Sequence, residues 1–120
     1  MRPPFILVDK TGDVTVFDTA QELEQYVEPV DVLQDEFTAY DSEGRLLSLQ
    51  VTHVTQGRFL KVRLPVVRVS EAEHDPSHCD DLRRALLAFL QQLRYDETAS
   101  APEPLSDLLR RVIQVVRAQE

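Results

Sequence analysis

The sequence predicts an α+β domain in which an antiparallel sheet of about five strands has its helices packed on one face. Three observations lead to this prediction. Short polar turns that end in glycine separate β-prone segments in the first half of the chain. Apolar and polar residues alternate within those segments, as they do in half-buried strands. The second half instead has two apolar stripes at helical spacing, so the predicted order is β-β-α-β-β-β-α-α.

Three turns, at residues 9–12, 41–44 and 54–57, separate the predicted strands, and each turn ends in glycine. Glycine adopts the positive φ that tight hairpin turns require. The strands between and around these turns are predicted over residues 5–8, 14–17, 36–40, 46–54 and 59–69. Pro65 lies inside the last strand and has no amide to donate, which predicts a bulge or an edge strand there.

A short helix is predicted between the first two hairpins. Thr19 and Glu22 have the spacing of a capping box, in which each side chain accepts a hydrogen bond from the other residue's amide. The apolar face that follows consists of Ala20, Leu23, Tyr26 and Val27. Pro29 is expected to end the helix, and residues 30–35 to connect it to the next strand.

Two longer helices are predicted in the last third of the chain. Ser77 is expected to cap the first one, with Asp80 three residues later. Its apolar stripe consists of Leu82, Leu86, Phe89, Leu90 and Leu93. Residues 96–103 are typical of a loop, and Pro104 suits the first turn of the second helix. The stripe of that helix is Leu105, Leu108, Leu109, Val112, Ile113 and Val116. This stripe is expected to be core or, in part, a homodimer seam, and Val115 is expected to be exposed in a monomer.

Length and composition predict one globular domain over residues 1–120. A single cysteine excludes an internal disulfide. The chain has 13 bases and 21 acids, a net charge of −8, which argues against binding to nucleic acid and to anionic membranes. The apolar run at residues 5–8 is too short for a secretory or membrane-spanning segment, so a cytoplasmic location is expected.

The negative charge is concentrated in one region. Residues 1–57 hold eleven acids and three bases, and residues 71–82 hold five acids and no base. Residues 58–70 hold four bases and no acid: Arg58, Lys61, Arg63 and Arg68. We expect these bases to form cross-strand pairs with the acidic hairpin. The alternative is that they form a second contact surface.

The strongest functional candidate is an acidic stretch that contains an aromatic residue. Its members are Glu28, Asp31, Asp35, Glu36, Tyr40, Asp41 and Glu43. Such a stretch is suited to steering a basic protein partner, with Tyr40 as an exposed anchor beside Glu36 and Phe37 in the core. The alternative is a solvated face that keeps the protein soluble and protects strand edges.

Candidate metal-binding and nucleophilic residues lie around the start of the third predicted helix. His74 and His78 have the spacing of some zinc ligands, but Pro76 between them removes the shared helical face. Cys79 has no recognisable base and orienting acid. The three glycines lie in separate turns and form no phosphate-binding loop. We therefore expect no enzymatic activity, cofactor or metal, and keep a metal protein or enzyme as the third hypothesis.

A set of short motifs lies within residues 14–50. The motifs are Phe17-Asp18-Thr19, Tyr26-Val27-Glu28, Asp31-Val32, Glu36-Phe37-Thr38-Ala39-Tyr40-Asp41 and Gly44-Arg45-Leu46-Leu47. This segment resembles small bacterial immunity-type proteins of polymorphic and contact-delivered toxin systems. The resemblance implies a cytoplasmic, non-catalytic protein that binds a cognate toxin domain and blocks its active site. The matched positions are Glu28, Asp31, Glu36, Tyr40 and Asp41.

The first functional hypothesis is therefore an immunity protein whose acidic face occludes a basic active site. Such an inhibitor suits a nuclease, because a surface that receives phosphate is basic. The alternative is a small acidic dimeric chaperone for a secreted effector. In both hypotheses the partner is a basic protein, and neither nucleic acid nor membrane is expected. The choice between monomer and homodimer stays open.

Overall fold

The computed structural model describes residues 1–93 and 104–118. Their elements are β1 (Phe5–Asp9), β2 (Val14–Phe17), α1 (Ala20–Tyr26), α2 (Pro29–Leu33), β3 (Phe37–Tyr40), β4 (Leu46–Gln56), β5 (Val62–Glu71), α3 (Cys79–Gln92) and α4 (Leu105–Ala118). The strands form one antiparallel sheet in the order β2-β1-β3-β4-β5. The predicted α+β class and the order of strands and long helices are confirmed. The loop predicted at 96–103 lies outside the described residues.

The structure differs from the prediction in placing helices on both faces of the sheet. In β1, Ile6 belongs to the apolar cluster under α3 and α4, whereas Phe5 and Leu7 belong to the cluster under α1 and α2. Side chains alternate between the two faces of a strand, and residues 5–8 are all apolar. Both faces of β1 therefore need a cover, and one helical layer could supply only one of them.

The larger core lies between the sheet and the two long helices. Its buried helical residues are Leu82, Leu86, Phe89, Leu90, Leu108, Leu109, Val112 and Val115. Val115 is 9% exposed, so the prediction that a monomer leaves it exposed is wrong. The buried stripe of α4 includes Leu108, Val112 and Val115 at i, i+4 and i+7, which turns Ile113 to its partly buried flank.

The first predicted helix is two short helices joined at a proline. Thr19 caps α1 as predicted, because the Glu22 amide donates to Thr19 Oγ1 over 3.1 Å. Pro29 follows the end of α1 and occupies the first turn of α2, where a missing amide costs no hydrogen bond. Residues 30–35, predicted as a connection, therefore include most of a one-turn helix. The side chains of Leu23 and Val27 are buried and belong to the same apolar cluster as Phe5 and Leu7 of β1.

The start of α3 also differs from the prediction. His78, rather than Ser77, stands at its N-cap position and makes no side-chain capping bond. The Ser77 hydroxyl instead donates to Glu73 Oε2 over 2.5 Å. The predicted cap is therefore wrong, because the Ser77 hydroxyl is hydrogen-bonded to the Glu73 carboxylate and not to an amide of α3.

The distal part of the β4–β5 hairpin projects from the rest of the molecule. The register is unbroken from Leu47–Glu71 to Gln56–Val62, so Pro65 causes no bulge. β5 is the edge strand, as the proline predicted. We call residues 52–66 the arm, since all of them are exposed except Val54 and Val66, which are half-buried. The molecule accordingly measures 58 × 32 × 23 Å.

The packing predicts a contrast between two leucine substitutions. Leu86 is fully buried in the α3–α4 core, and Leu60 at the end of the arm is 80% exposed. We expect Leu86→Ala to lower the free energy of unfolding by about 2–5 kcal/mol, because it removes packed methyl groups and leaves a cavity. Leu60→Ala should change it by no more than about 0.5 kcal/mol. Urea unfolding measures both, and similar losses in the two variants would contradict the described core.

Candidate functional site

The buried carboxylate of Asp41 organises the turn between β3 and β4. Its side chain is 0% exposed. Oδ1 accepts from the amides of Glu43 (3.0 Å) and Arg45 (2.9 Å). Oδ2 accepts from the Arg2 amide (3.1 Å) and from Arg45 Nη1 (2.5 Å). Asp41, a predicted partner contact, is thus enclosed by its own chain and fixes the turn and the N-terminal segment.

Glu73 is the second carboxylate of this network and holds the connection between β5 and α3. Its side chain accepts hydrogen bonds from the amides of Leu46 (3.0 Å) and Ser77 (2.9 Å) and from the Ser77 hydroxyl. His78 Nδ1 lies 2.9 Å from both carboxylate oxygens. The Ser77 hydroxyl and these other donors outweigh the effect of burial and hold the pKa of Glu73 at about 2, below its usual 4.5.

Backbone contacts join the two halves of the network. The guanidinium of Arg45 donates from Nε to the His74 carbonyl over 2.8 Å. The Cys79 thiol donates to the Glu43 carbonyl over 2.9 Å, and the His78 amide donates to the Gly44 carbonyl over 3.1 Å. The β3–β4 turn is therefore fastened to the start of α3.

The arrangement of Ser77, His78 and Glu73 is not that of a catalytic triad. In a triad the acid and the nucleophile bond to opposite ring nitrogens of the histidine. Here both Ser77 Oγ, at 3.2 Å, and the Glu73 carboxylate face the same nitrogen, Nδ1. Cys79 contacts a carbonyl rather than a base. Across residues 1–93 and 104–118, no group of three or more His, Cys, Asp and Glu side chains could hold a metal ion.

The structure divides the seven predicted contact residues between the two ends of β3. Asp41 and Glu43 lie in the turn that follows the strand, and the members before the strand surround α2. Glu36 forms an ion pair with Lys10 at 3.5 Å. Tyr40 is 7% exposed and packs in the α3–α4 core, so its predicted exposure is wrong. Burial, with a contribution from the Asp81 carboxylate, raises the pKa of its hydroxyl.

The physical reason for the burial of Tyr40 is its register. Tyr40 stands between Ile6 of β1 and Leu46 of β4, on the face covered by the long helices. Glu36 precedes β3 and lies where Lys10 can reach it. Strand parity alone groups Tyr40 with Glu36, but it cannot tell which face a helix will cover.

The residues around α2 form an exposed surface, which we call the α2 patch. Its members are Glu28, Val30, Asp31, Leu33 and Asp35. Val30 is 51% exposed and Leu33 is 73% exposed, while Val32 turns inward to the core. Among the described residues, no base lies within 4 Å of the three carboxylates. The α2 patch therefore combines exposed apolar side chains with unpaired negative charge.

A groove of 460 Å³ lies between the junction of α1 and α2 and the arm. On the helical side it is lined by Val27 and Pro29 and by the carboxylates of Glu24 and Glu28. On the arm side its walls include Val54, Pro65 and Val66. Glu24 Oε2 also accepts from the amide of Val69 in the edge strand, at 2.8 Å. Glu28 belongs to both features, so the groove is continuous with the α2 patch.

The arm is a second exposed surface, and its structure differs from the predicted one. Phe59 is 97% exposed, Leu60 is 80% exposed, and Val62 and Leu64 are also exposed. Arg58, Lys61, Arg63 and Arg68 were expected to pair with the acidic hairpin across strands. That prediction is wrong, because β5 is the edge strand and its neighbour β4 places uncharged residues opposite. The observed pairs are Arg63 with Thr55 and Arg68 with Gln50.

A scan against protein-family models gave no match, and searches of curated proteins and of solved structures found no similar protein. Within the described part of the chain, no helix has the length and apolarity needed to cross a bilayer.

The turn network predicts unequal effects of two glycine substitutions. Gly12 and Gly44 both have φ near +87°, at 88° and 86°, so alanine is strained at either position. A Cβ on Gly44 would lie 2.7 Å from Cys79 Cα and Sγ, whereas on Gly12 it would meet only the flexible end of Gln92 at 3.2 Å. We expect Gly12→Ala to cost about 1–2 kcal/mol of unfolding free energy, and Gly44→Ala about 1–3 kcal/mol more. Equal costs by urea unfolding would contradict the close approach of Gly44 to α3.

The low pKa of Glu73 predicts a specific pH dependence of stability. The pKa is about 2 in the folded protein against a usual 4.5. The ionised carboxylate therefore stabilises the fold fully above pH 4.5 and loses this effect as the pH falls towards 2. The difference in unfolding free energy between the wild-type protein and Glu73→Gln should narrow across that interval. Glu22→Gln, which removes an exposed carboxylate of α1, is the control for the loss of one negative charge. A constant difference between wild type and Glu73→Gln would contradict the assigned network.

Proposed function

We propose that the protein is a non-enzymatic inhibitor that binds and neutralises a cognate toxin domain in the bacterial cytoplasm, as immunity proteins do. The observation that carries the proposal is the α2 patch, where exposed Val30 and Leu33 stand among three unpaired carboxylates. The patch lies within the segment, residues 14–50, that resembles immunity-type proteins.

The chemistry of the α2 patch fits a basic protein partner. Interfaces bind through exposed apolar anchors at their centre, and charges around them steer the encounter. A toxin that acts on nucleic acid has a basic active surface, and a row of carboxylates imitates the phosphates which that surface receives. The contact set is Glu28, Asp31 and Asp35, with Glu36 at its border, where Lys10 already pairs with it.

The remaining predicted contacts take a supporting role in this proposal. Tyr40 and Asp41 are buried, so they act by holding β3 and its turn in place. Glu43 lies beside Arg45 in the same turn, at 3.8 Å. They position the sheet beneath α2 and do not touch the partner.

A second candidate function is a chaperone for a secreted effector. The observation that favours it is the arm, which exposes Phe59 and Leu60 on a hairpin of the kind that can hold an extended apolar segment. A chaperone would bind its client in an unfolded state, whereas an inhibitor binds a folded toxin domain. Binding to the folded domain alone therefore separates the two functions.

Charge reversal on the α2 patch tests the inhibitor. The partner to test is a toxin domain from a reading frame that neighbours this gene, purified in its folded form. We expect the triple variant Glu28→Lys, Asp31→Lys, Asp35→Lys to weaken binding by at least about 100-fold, since close interfacial charge pairs contribute about 1.5 kcal/mol or more each. Wild-type binding should weaken as salt is added. Calorimetry measures the affinity, and survival of intoxicated cells measures the protection.

The matched control reverses three exposed acids elsewhere, Asp13, Glu22 and Asp75. It changes the net charge by the same amount and should keep wild-type affinity at moderate salt. If the α2 triple variant retained wild-type affinity and protection, the patch would not be the toxin-binding surface.

A further inference from the structure

The arm is built like an interface element, and within the described residues no other part of the chain covers it. Phe59 is 97% exposed and Leu60 is 80% exposed. Val62 (46%) and Leu64 (38%) continue this apolar surface on one face of the strand, because they alternate with Lys61 and Arg63. Exposed apolar patches of this extent on a folded domain mark sites of interaction.

The charges of the arm define the chemistry of its partner. Arg58, Lys61 and Arg63 are exposed, and none of the described carboxylates lies within 4 Å of them. A surface that accepts this arm therefore needs apolar walls for Phe59 and Leu60 and carboxylates for the bases around them.

This chain itself presents such a surface. The groove beside the arm has apolar walls that include Val27, Pro29 and Val66. Its charged lining residues are two acids at the helical side, Glu24 and Glu28, and one base, Arg68. The groove continues into the α2 patch, which adds two unpaired carboxylates and two exposed apolar side chains. The arm and this acidic surface are opposite in charge and alike in apolar character.

We infer that two copies of the chain associate by exchanging arms, each arm lying in the groove and on the α2 patch of the other copy. The strands of the arm, residues 52–56 and 62–66, are about 17 Å long, and the arm of one copy would lie along α1 and α2 of the other. Each copy offers both surfaces, so a two-fold axis makes both contacts at once and closes the assembly as a dimer. Edge-to-edge pairing of β5 is not required, and Pro65 and the bases on that strand disfavour it.

The exchange is independent of the toxin proposal, because both participants are this chain. It does make a prediction about that proposal, since the dimer covers the α2 patch and a basic partner would compete with the arm. A variant with an altered arm keeps its α2 patch. It should therefore lose dimerisation and still bind the toxin domain, so that each proposal can fail without the other.

A charge-swap experiment on the purified full chain tests the exchange. The arm variant carries Arg58→Glu, Lys61→Glu and Arg63→Glu, and the patch variant carries Glu28→Lys, Asp31→Lys and Asp35→Lys. All six positions except Asp31 are exposed, and Asp31 is half-buried, so equal unfolding midpoints are checked first. Light scattering coupled to size exclusion, with sedimentation over a range of concentrations, measures the association.

We expect the wild-type chain to dimerise and each variant alone to dissociate with a constant raised at least about 100-fold, because arm and patch then repel each other. An equimolar mixture of the two variants should form a heterodimer, since each arm again meets a patch of opposite charge. Phe59→Ser with Leu60→Ser should also weaken the wild-type dimer, and added salt should weaken it further.

Three outcomes would overturn the exchange. The wild-type chain could be monomeric at every concentration, the arm variant could dimerise as well as the wild type, or the mixture could fail to associate. If the monomeric wild type bound vesicles that contain anionic lipid through Phe59 and Leu60, the arm would instead be assigned to a lipid surface.

Discussion

The buried ion pair between Asp41 and Arg45 is the interaction on which the placement of both surfaces depends. A carboxylate without access to water is stable only when it is paired and fully hydrogen-bonded, and Asp41 has four donors around it. These donors come from the N-terminal segment and from the turn itself. This turn sets where β3 ends and β4 begins, and the Glu73 carboxylate links Leu46, the first residue of β4, to Ser77 just before α3. Since β4 continues without a bulge into the arm, the network also fixes the direction of the arm.

Local chemistry was sufficient to predict most of the secondary structure. The three glycine turns defined the hairpins because each has a left-handed glycine in the structure, at φ values of 88°, 86° and 118°. The stripes of α3 and α4 were long enough for their period to be read directly. The one-turn helix α2 was missed because five residues hold less than two helical periods, and Pro29 is equally compatible with the end of one helix and the start of another.

The candidate site was predicted in part, and its errors have a common origin. Charge correctly predicted that Glu28 and Asp35 are exposed, whereas Asp31 is half-buried. No base among the described residues pairs with any of the three. Tyr40 and Asp41 were placed on the surface too, although the sheet register and a partner four residues away bury both of them. Whether such a residue is buried depends on which face of the sheet a helix covers, and local sequence patterns do not predict that. The basic strand was assigned to structural pairs for the same reason, since the order of strands in the sheet is a tertiary property.

The net charge of −8 is therefore divided between surfaces of opposite sign. The helices that carry the acidic residues and the arm that carries the bases form the two sides of one groove, and both surfaces expose apolar side chains. Such surfaces are suited to binding proteins. The polar network of Asp41 and Glu73, at the other end of β3, stabilises the sheet that carries both surfaces.

Hydrogen–deuterium exchange locates the contact on this chain when it is measured on the arm variant (Arg58→Glu, Lys61→Glu, Arg63→Glu), whose α2 patch no second copy covers, with and without the proposed toxin partner. The inhibitor proposal predicts that binding slows exchange in residues 28–35 of this variant, while the amides of the Asp41 turn are protected equally in its free and bound forms. Slower exchange confined to α3 and α4, with α2 unchanged, would contradict it.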